Sequence, residues 1–287
     1  MVSLRNLAQR IDRHFQTRQA YKFFIKDWTG LDDLHAAAPL LGTMRFSRNL
    51  QPVIMDHPQA KRIAVLAPHP DDEVLGAGGT LVKSIAARIP VSTIYVTTGK
   101  PADQMESEAR QVAERIGFDT DFLKFELNRI ALDRPSLETC AAALKRIGPD
   151  CIFLPFLLDD HDDHRRVSEL LLRMWQEGLF DPEGVEIWGY QVYTTLPPNV
   201  VIDITETIKH KASAMRCYTS QMQRRDWAHY ILGLNAFMSR FLPGSKSPCY
   251  AEAFFVVPAK SYLELCEIYF RNPGKTYYTP FYLDGAL

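Results

Sequence analysis

From Arg62 onward, short unbroken apolar runs alternate with longer stretches whose apolar residues recur every three or four positions. Ile63-Ala-Val-Leu-Ala67 has no polar alternation, which predicts a strand buried on both faces, as in a parallel sheet. A polar loop is expected over 68–76, then a helix of small residues from Ala77 to Arg88. Val91-Ser-Thr-Ile-Tyr-Val-Thr97 is β-branched and aromatic and predicts a second strand. A helix over 104–117 ends at Gly117, a residue suited to the position just past a helix. Further strands are expected over 121–125 and 151–155, with a helix over 136–147 between them. Val167, Leu170, Leu171, Met174 and Trp175 mark the core face of a helix over 163–176. Strands over 186–193, 200–203 and 253–257 and helices over 205–219, 226–240 and 260–271 complete the pattern. Strands alternating with helices of this length predict an α/β, Rossmann-like fold: a mostly parallel sheet with helices on both faces.

Residues 1–60 stand apart. Leu4, Leu7, Ile11 and Phe15 share one helical face, and Gly30, Pro39, Gly42 and Pro52 then break the pattern. An N-terminal extension is expected over 1–60, packed against one domain over 61–287. A chain of 287 residues buries roughly 75% of its unfolded surface and needs no structural metal to fold. A metal site in it therefore reads as chemistry. With 33 basic and 34 acidic side chains there is no electrostatic case for nucleic acid. Cys140, Cys151, Cys217, Cys249 and Cys266 are dispersed without CxxC spacing, as in a reduced cytoplasmic protein. Neither a transmembrane run nor the apolar core of a signal peptide is present.

The loop after the first strand reads Pro68-His-Pro-Asp-Asp-Glu73. Four ionisable groups at the end of a buried strand are costly unless something organises the charge. A divalent cation does so by neutralising carboxylates and taking a neutral imidazole. His69 and Asp72 are close enough to bind one ion if the chain turns into a helix. Asp71 then lies beside it, suited to act as a general base. Glu73 either caps the helix or orients His69. The run Gly76-Ala-Gly-Gly79 is not GxGxxG and reads as small residues for close helix–sheet packing.

A second loop, Asp159-Asp-His-Asp-Asp-His164, follows the strand over 151–155 and opens another helix. One of His161 and His164 can complete a three-ligand site with a position left for water, and the other can work on the substrate. Asp163 can fix a histidine tautomer from behind. Two such loops in one domain imply a mononuclear hydrolytic metal centre, for zinc or another divalent transition metal.

These residues resemble the PIG-L/LmbE-like family of zinc-dependent N-deacetylases, whose motifs are Ala-His-Pro-Asp-Asp-Glu and His-x-Asp-His. Here proline replaces the first alanine, and Asp162 stands where proline is usual; neither change touches a functional side chain. Val201-Ile-Asp-Ile-Thr205, Lys211, Ser220-Gln221 and Tyr250-Ala-Glu-Ala-Phe254 look like the family's C-terminal signature. The resemblance implies His69, Asp72 and His164 as zinc ligands, Asp71 as general base, and His161 as the residue that stabilises the intermediate or protonates the leaving amine. It also implies that Glu252 lines the pocket. The helix after Lys100 lacks the usual arginine–glutamate pattern, so substrate contacts do not transfer there.

The implied activity is hydrolysis of the acetamide of an N-acetylated amino sugar, a small-molecule glycoside or a glycolipid. Two alternatives are a metal-dependent amidase for a larger acyl or thiol-conjugate amide and a non-catalytic sugar-binding domain. Trp188, Tyr190, Tyr193 and Trp227 read first as core aromatics and second as sugar-stacking platforms. Arg224 and Arg225 read first as a solvated helix end and second as contacts for an anionic aglycone.

Overall fold

The computed structural model describes residues 51–271, apart from 195, 197 and 245–247. The helix expected over residues 4–15 lies outside the described residues. Eight strands form one sheet: β1 Val53–Met55, β2 Ile63–Ala67, β3 Val91–Thr97, β4 Asp119–Phe125, β5 Cys151–Pro155, β6 Glu186–Tyr190, β7 Val200–Asp203 and β8 Ala251–Pro258. Helices α1 Asp72–Ala86, α2 Ala102–Ile116, α3 Arg134–Ile147, α4 Asp162–Gln176, α5 Ile208–Met215, α6 Thr219–Met222, α7 Trp227–Met238 and α8 Ala259–Tyr269 connect or follow them.

The spatial order is β1-β7-β8-β6-β5-β2-β3-β4. All pairs are parallel except those of β8, which runs antiparallel to β6 and β7. The α/β class and mostly parallel sheet predicted from the pattern are therefore those of the structure. Strand β1 was not predicted; it falls in the stretch set apart as an extension and pairs with β7 through Val53↔Val200. Three residues give too short a run for alternation to register.

Alternate residues of each strand feed two cores. Ala64, Leu66, Ile152 and Leu154 pack with α3, α4 and α8, whereas Ile63, Val65, Cys151 and Phe153 pack with α1, α2 and α5. This is the period-two alternation of a sheet covered on both sides. A Cβ added at Gly76 would stand 2.1 Å from the Tyr190 ring, so the helix lies on the sheet at a distance only glycine allows. The packing reading of the glycine run is the one the structure supports.

One boundary shift matters for the site. Helix α1 begins at Asp72, not near Ala77. Acidic residues in a first turn complement the helix dipole, which an apolar-periodicity reading overlooks. Asp72 and Glu73 are thus held on a rigid helix rather than in a loop.

Strands β2 and β5 are adjacent and parallel, registered through Ile63↔Cys151 and Val65↔Phe153. Chain order runs outward from them in opposite directions, β3 on one side and β6 on the other. That is a topological switch point, where the loops after two carboxyl ends diverge and leave a crevice. Both histidine–aspartate loops open into it. No helix among the described residues is long and apolar enough to cross a membrane.

Candidate metal centre and cleft

The β2 loop is clamped before it turns. Thr97 at the end of β3 donates both its backbone N–H and its hydroxyl to Pro68 O, each at 2.9 Å. Asp71 then takes φ 117°, ψ −28°, a left-handed conformation that costs a non-glycine residue and is found where surrounding contacts impose it. The Asp71 carbonyl accepts the N–H groups of Val74 and Leu75 at 3.0 and 2.9 Å. The strained residue thus launches α1.

Asp72 is the hub. Its Oδ2 accepts His69 N–H at 2.9 Å, lies 3.1 Å from His69 Nδ1 and 3.3 Å from His164 Nε2. Ligand atoms around a tetrahedral zinc, at about 2.0–2.1 Å from it, are separated by about 3.3 Å. The spacing of Asp72 Oδ2 to both imidazoles therefore suits one ion between them. Neither nitrogen of His164 has an aligned hydrogen bond, although both sit among carboxylates. The three imidazoles of His69, His161 and His164 also offer atoms within 4.8 Å of one another. These residues fit a divalent cation.

The charges tell the same story. Asp71, Asp72, Glu73, Asp159 and Asp163 are all buried. Burial pulls the His69 ring down, but Asp163 and Asp72 outweigh it and raise the ring to about 10. His164 is likewise raised to about 9, burial being overcome by Asp72 and Asp159. Two imidazoles made so basic mark a pocket whose carboxylates call for positive charge. Burial and the neighbouring Asp72 push Asp71 well above the usual carboxylate range.

Behind the hub, Asp163 Oδ2 lies 3.0 Å from His69 Nε2 and accepts Asn128 N–H at 3.0 Å. It fixes His69 with Nδ1 directed at Asp72. Asp159 faces His164 by charge rather than through an aligned hydrogen bond, its Oδ1 standing 3.0 Å from His164 Nδ1. Its other oxygen accepts Tyr193 N–H at 3.1 Å. Sequence reasoning quoted Asp159 but gave it no role. The signal was its place five residues before His164, where a carboxylate can fold back onto the first turn of a helix.

Glu73 does not reach His69. Its carboxylate accepts Asp71 N–H at 3.1 Å and the hydroxyl of Tyr218, so it braces the strained loop from below. Burial raises it to about 7. Tyr218 is 145 residues away, and nothing local pairs the two. His161 caps α4, its Nδ1 accepting Asp163 N–H at 3.2 Å. That contact assigns the proton to Nε2, on the far side of the ring. Burial and the charges of His69 and His164 lower this imidazole to about 3, so it is neutral.

His161 also lines a cleft of about 470 Å³ with Asp160, Tyr193, Gln221, Arg224, Arg225 and Trp227. Tyr193 and Trp227 meet edge to face at 5.8 Å, and Tyr193 stacks toward His161 at the same centroid distance. The core reading holds for Trp188 and Tyr190, 1% and 0% exposed, but not for Tyr193, which is 49% exposed. The pocket role for Glu252 is corrected. It is 1% exposed, paired with Lys211 Nζ at 2.6 Å, and it accepts Gly79 and Thr80 N–H at 2.9 and 2.7 Å. Lys211 also donates to Leu75 O at 2.9 Å. The pair is grafted onto the backbone of α1 and is not among the residues that line the cleft beside His161.

Residues 64–175 match the family model described as PIG-L, GlcNAc-PI de-N-acetylase. The chain is 24% identical over 196 residues to a diacetylchitobiose deacetylase of Thermococcus kodakarensis, covering 58% of this chain and 72% of that protein. Among solved structures, the N,N'-diacetylchitobiose deacetylase of Pyrococcus horikoshii aligns with TM-score 0.59 and 24% identity, over 71% of this chain and 86% of that one. A 4-carboxy-2-hydroxymuconate hydratase of Pseudomonas putida aligns with TM-score 0.56 and 19% identity, over 69% of this chain and 96% of that one. The fold is shared with a hydratase as well as a deacetylase, so function must be argued from the site.

Proposed function

We propose, for a chain whose residues 64–175 are a PIG-L family domain, that it is a metal-dependent N-deacetylase of N-acetylated amino sugars. The observation that carries this reading is Asp72 Oδ2 at 3.1 and 3.3 Å from two imidazole nitrogens, with the strained Asp71 next to it in the chain. His69, Asp72 and His164 are the residues that would hold the ion, with Asp163 and Asp159 orienting the two rings. Bound there, zinc or a related divalent ion would supply Lewis acidity, lowering the pKa of a water to about 7 and polarising an amide carbonyl.

The chain's own residues divide the rest. Asp71, fixed by its backbone and by Glu73, takes the proton of the attacking water. His161, with its proton on Nε2, donates a hydrogen bond to the oxyanion, a contribution worth about 10²–10³ in rate at comparable sites. The proton taken by Asp71 then passes to the departing nitrogen. One water is consumed, the amide C–N bond breaks, and acetate and a free amine are released. Acetyl as the acyl group and an amino sugar as the departing amine rest on the family and on the relatives' activities.

The domain takes in β1, with the N-terminal extension before it, and the dispersed cysteines support a reducing, cytoplasmic setting. The test is amine release by metal-analysed protein from a panel of N-acetylglucosamine glycosides and lipids, with and without chelator. Chelator-sensitive release from at least one class is expected. No release from any, with stoichiometric metal bound, would overturn the acetyl reading and turn attention to longer acyl amides.

A further inference from the structure

Two of the ligand side chains are imidazoles faced by a carboxylate, Asp163 behind His69 and Asp159 beside His164. Asp71 is held differently, through its main chain. It stands at φ 117° and ψ −28°, a region that non-glycine residues occupy only when their surroundings impose it. Freed of its contacts, the residue would relax and carry its carboxylate away. Its N–H donates to Glu73 Oε2 at 3.1 Å, and the Tyr218 hydroxyl donates to Oε1 of the same carboxylate. Glu73 and Tyr218 are both 0% exposed, so bulk water does not compete for either bond.

Tyr218 is itself fixed from several sides. It lies between α5 and α6, where its N–H donates to Met215 O at 3.1 Å. Its carbonyl accepts Gln221 and Met222 N–H, both at 3.0 Å. The two residues after it are tied to α2 by Glu108, which accepts the Thr219 hydroxyl at 2.7 Å, Ser220 N–H at 3.0 Å and the Ser220 hydroxyl at 2.6 Å. The Tyr218 ring sits in the core shared by α1, α2 and α5. Its hydroxyl lies 3.3 Å from that of Tyr95 on β3. A phenol has one proton, and Tyr218 gives its own to Glu73, so Tyr95 is the donor in that contact. A buried chain therefore runs Tyr95–Tyr218–Glu73–Asp71, with the donors and acceptors matched in one direction. Satisfied networks of this kind rigidify the groups at their ends.

We infer that Tyr218 is a positioning residue for hydrolysis: its hydroxyl fixes the Glu73 carboxylate, which locks Asp71 in the backbone conformation that keeps the base beside the ligands. This rests on the deacetylase reading for the role of Asp71 and deepens it. A reacting group displaced by about 1 Å loses about 10²-fold in rate, even when the change lies away from the chemistry. Tyr218 stands behind Glu73 and is not among the residues that line the cleft. Loss of its hydroxyl should therefore appear in turnover and leave metal content and substrate affinity as they were.

Tyr218→Phe keeps the ring in the core and removes only the hydroxyl. It is assayed in the metal-loaded full chain with the N-acetylglucosamine glycoside that the parent turns over fastest. The kcat is expected to fall about 10–100-fold, with KM within about twofold of the parent and metal content unchanged. A brace that acts through Asp71 has no effect once the base is gone. In an Asp71→Asn background, followed in single turnovers with enzyme in excess, Tyr218→Phe should change the rate by less than about twofold. A merely structural hydroxyl would lower both backgrounds alike. A second readout needs no activity: the Asp71 backbone amide should exchange with solvent about tenfold or more faster in Tyr218→Phe and in Glu73→Gln, followed by NMR on isotope-labelled protein. Unchanged kcat, equal losses in the two backgrounds, or unchanged exchange at Asp71 would each overturn the inference. No amine release by the parent would remove the deacetylase reading, and the exchange rates would still decide whether Tyr218 holds Asp71.

Discussion

Asp159 Oδ1 stands 3.0 Å from His164 Nδ1, and the other carboxylate oxygen takes the backbone N–H of Tyr193 at 3.1 Å. One buried side chain thus orients a ligand histidine and pins the cleft wall beside it. Asp159→Asn keeps the shape but loses the charge that favours His164 as a ligand. Zinc affinity should fall by about 10–100-fold, read by chelator competition on the purified protein. Unchanged affinity would mean that His164 is oriented by its ring packing alone.

Asp71→Asn should separate binding from chemistry. Asparagine tolerates the left-handed backbone that residue 71 adopts, and the donors to its carbonyl stay in place. Metal content is expected to be unchanged, while turnover falls by about 10²–10⁴. Elemental analysis beside an amine-release assay checks both halves. Retention of most activity would remove Asp71 from the role of base.

The Lys211–Glu252 pair tests how much the backbone of α1 depends on its graft. Lys211→Met leaves Glu252 buried with two N–H donors and no cation, at a cost of about 3–5 kcal/mol in urea unfolding. Lys211→Met/Glu252→Gln should recover part of that loss, since the uncompensated charge is gone. A single variant within about 1 kcal/mol of the parent would show that the pair is not what holds the helix.

Gly76→Ala drives a methyl toward the Tyr190 ring, which stands 2.1 Å from where it would go. Tyr190 is fully buried and has little room to move. Overpacking of this kind costs about 1–3 kcal/mol, seen as a lower thermal midpoint. An unchanged midpoint would mean that α1 can lift from the sheet at no cost.

The amino-acid order by itself determined the alternation of strands and helices, the buried strands β2 and β5, and the two histidine–aspartate loops that follow them. It also marked the glycines that let α1 lie on Tyr190. All of these are written in neighbouring residues, because period, capping and steric bulk act over a few positions. The tertiary structure decided what lies far apart in the chain. Only the pairing of β2 with β5 puts Asp163 against His69, 94 residues apart. Only the packing of the helices gives Glu73 to Tyr218, buries Glu252 on Lys211, and turns Tyr193, Trp227 and the two arginines toward one cleft. A short strand such as β1 and an ion pair across the domain leave no local pattern, since each exists only when its partner has already been brought alongside.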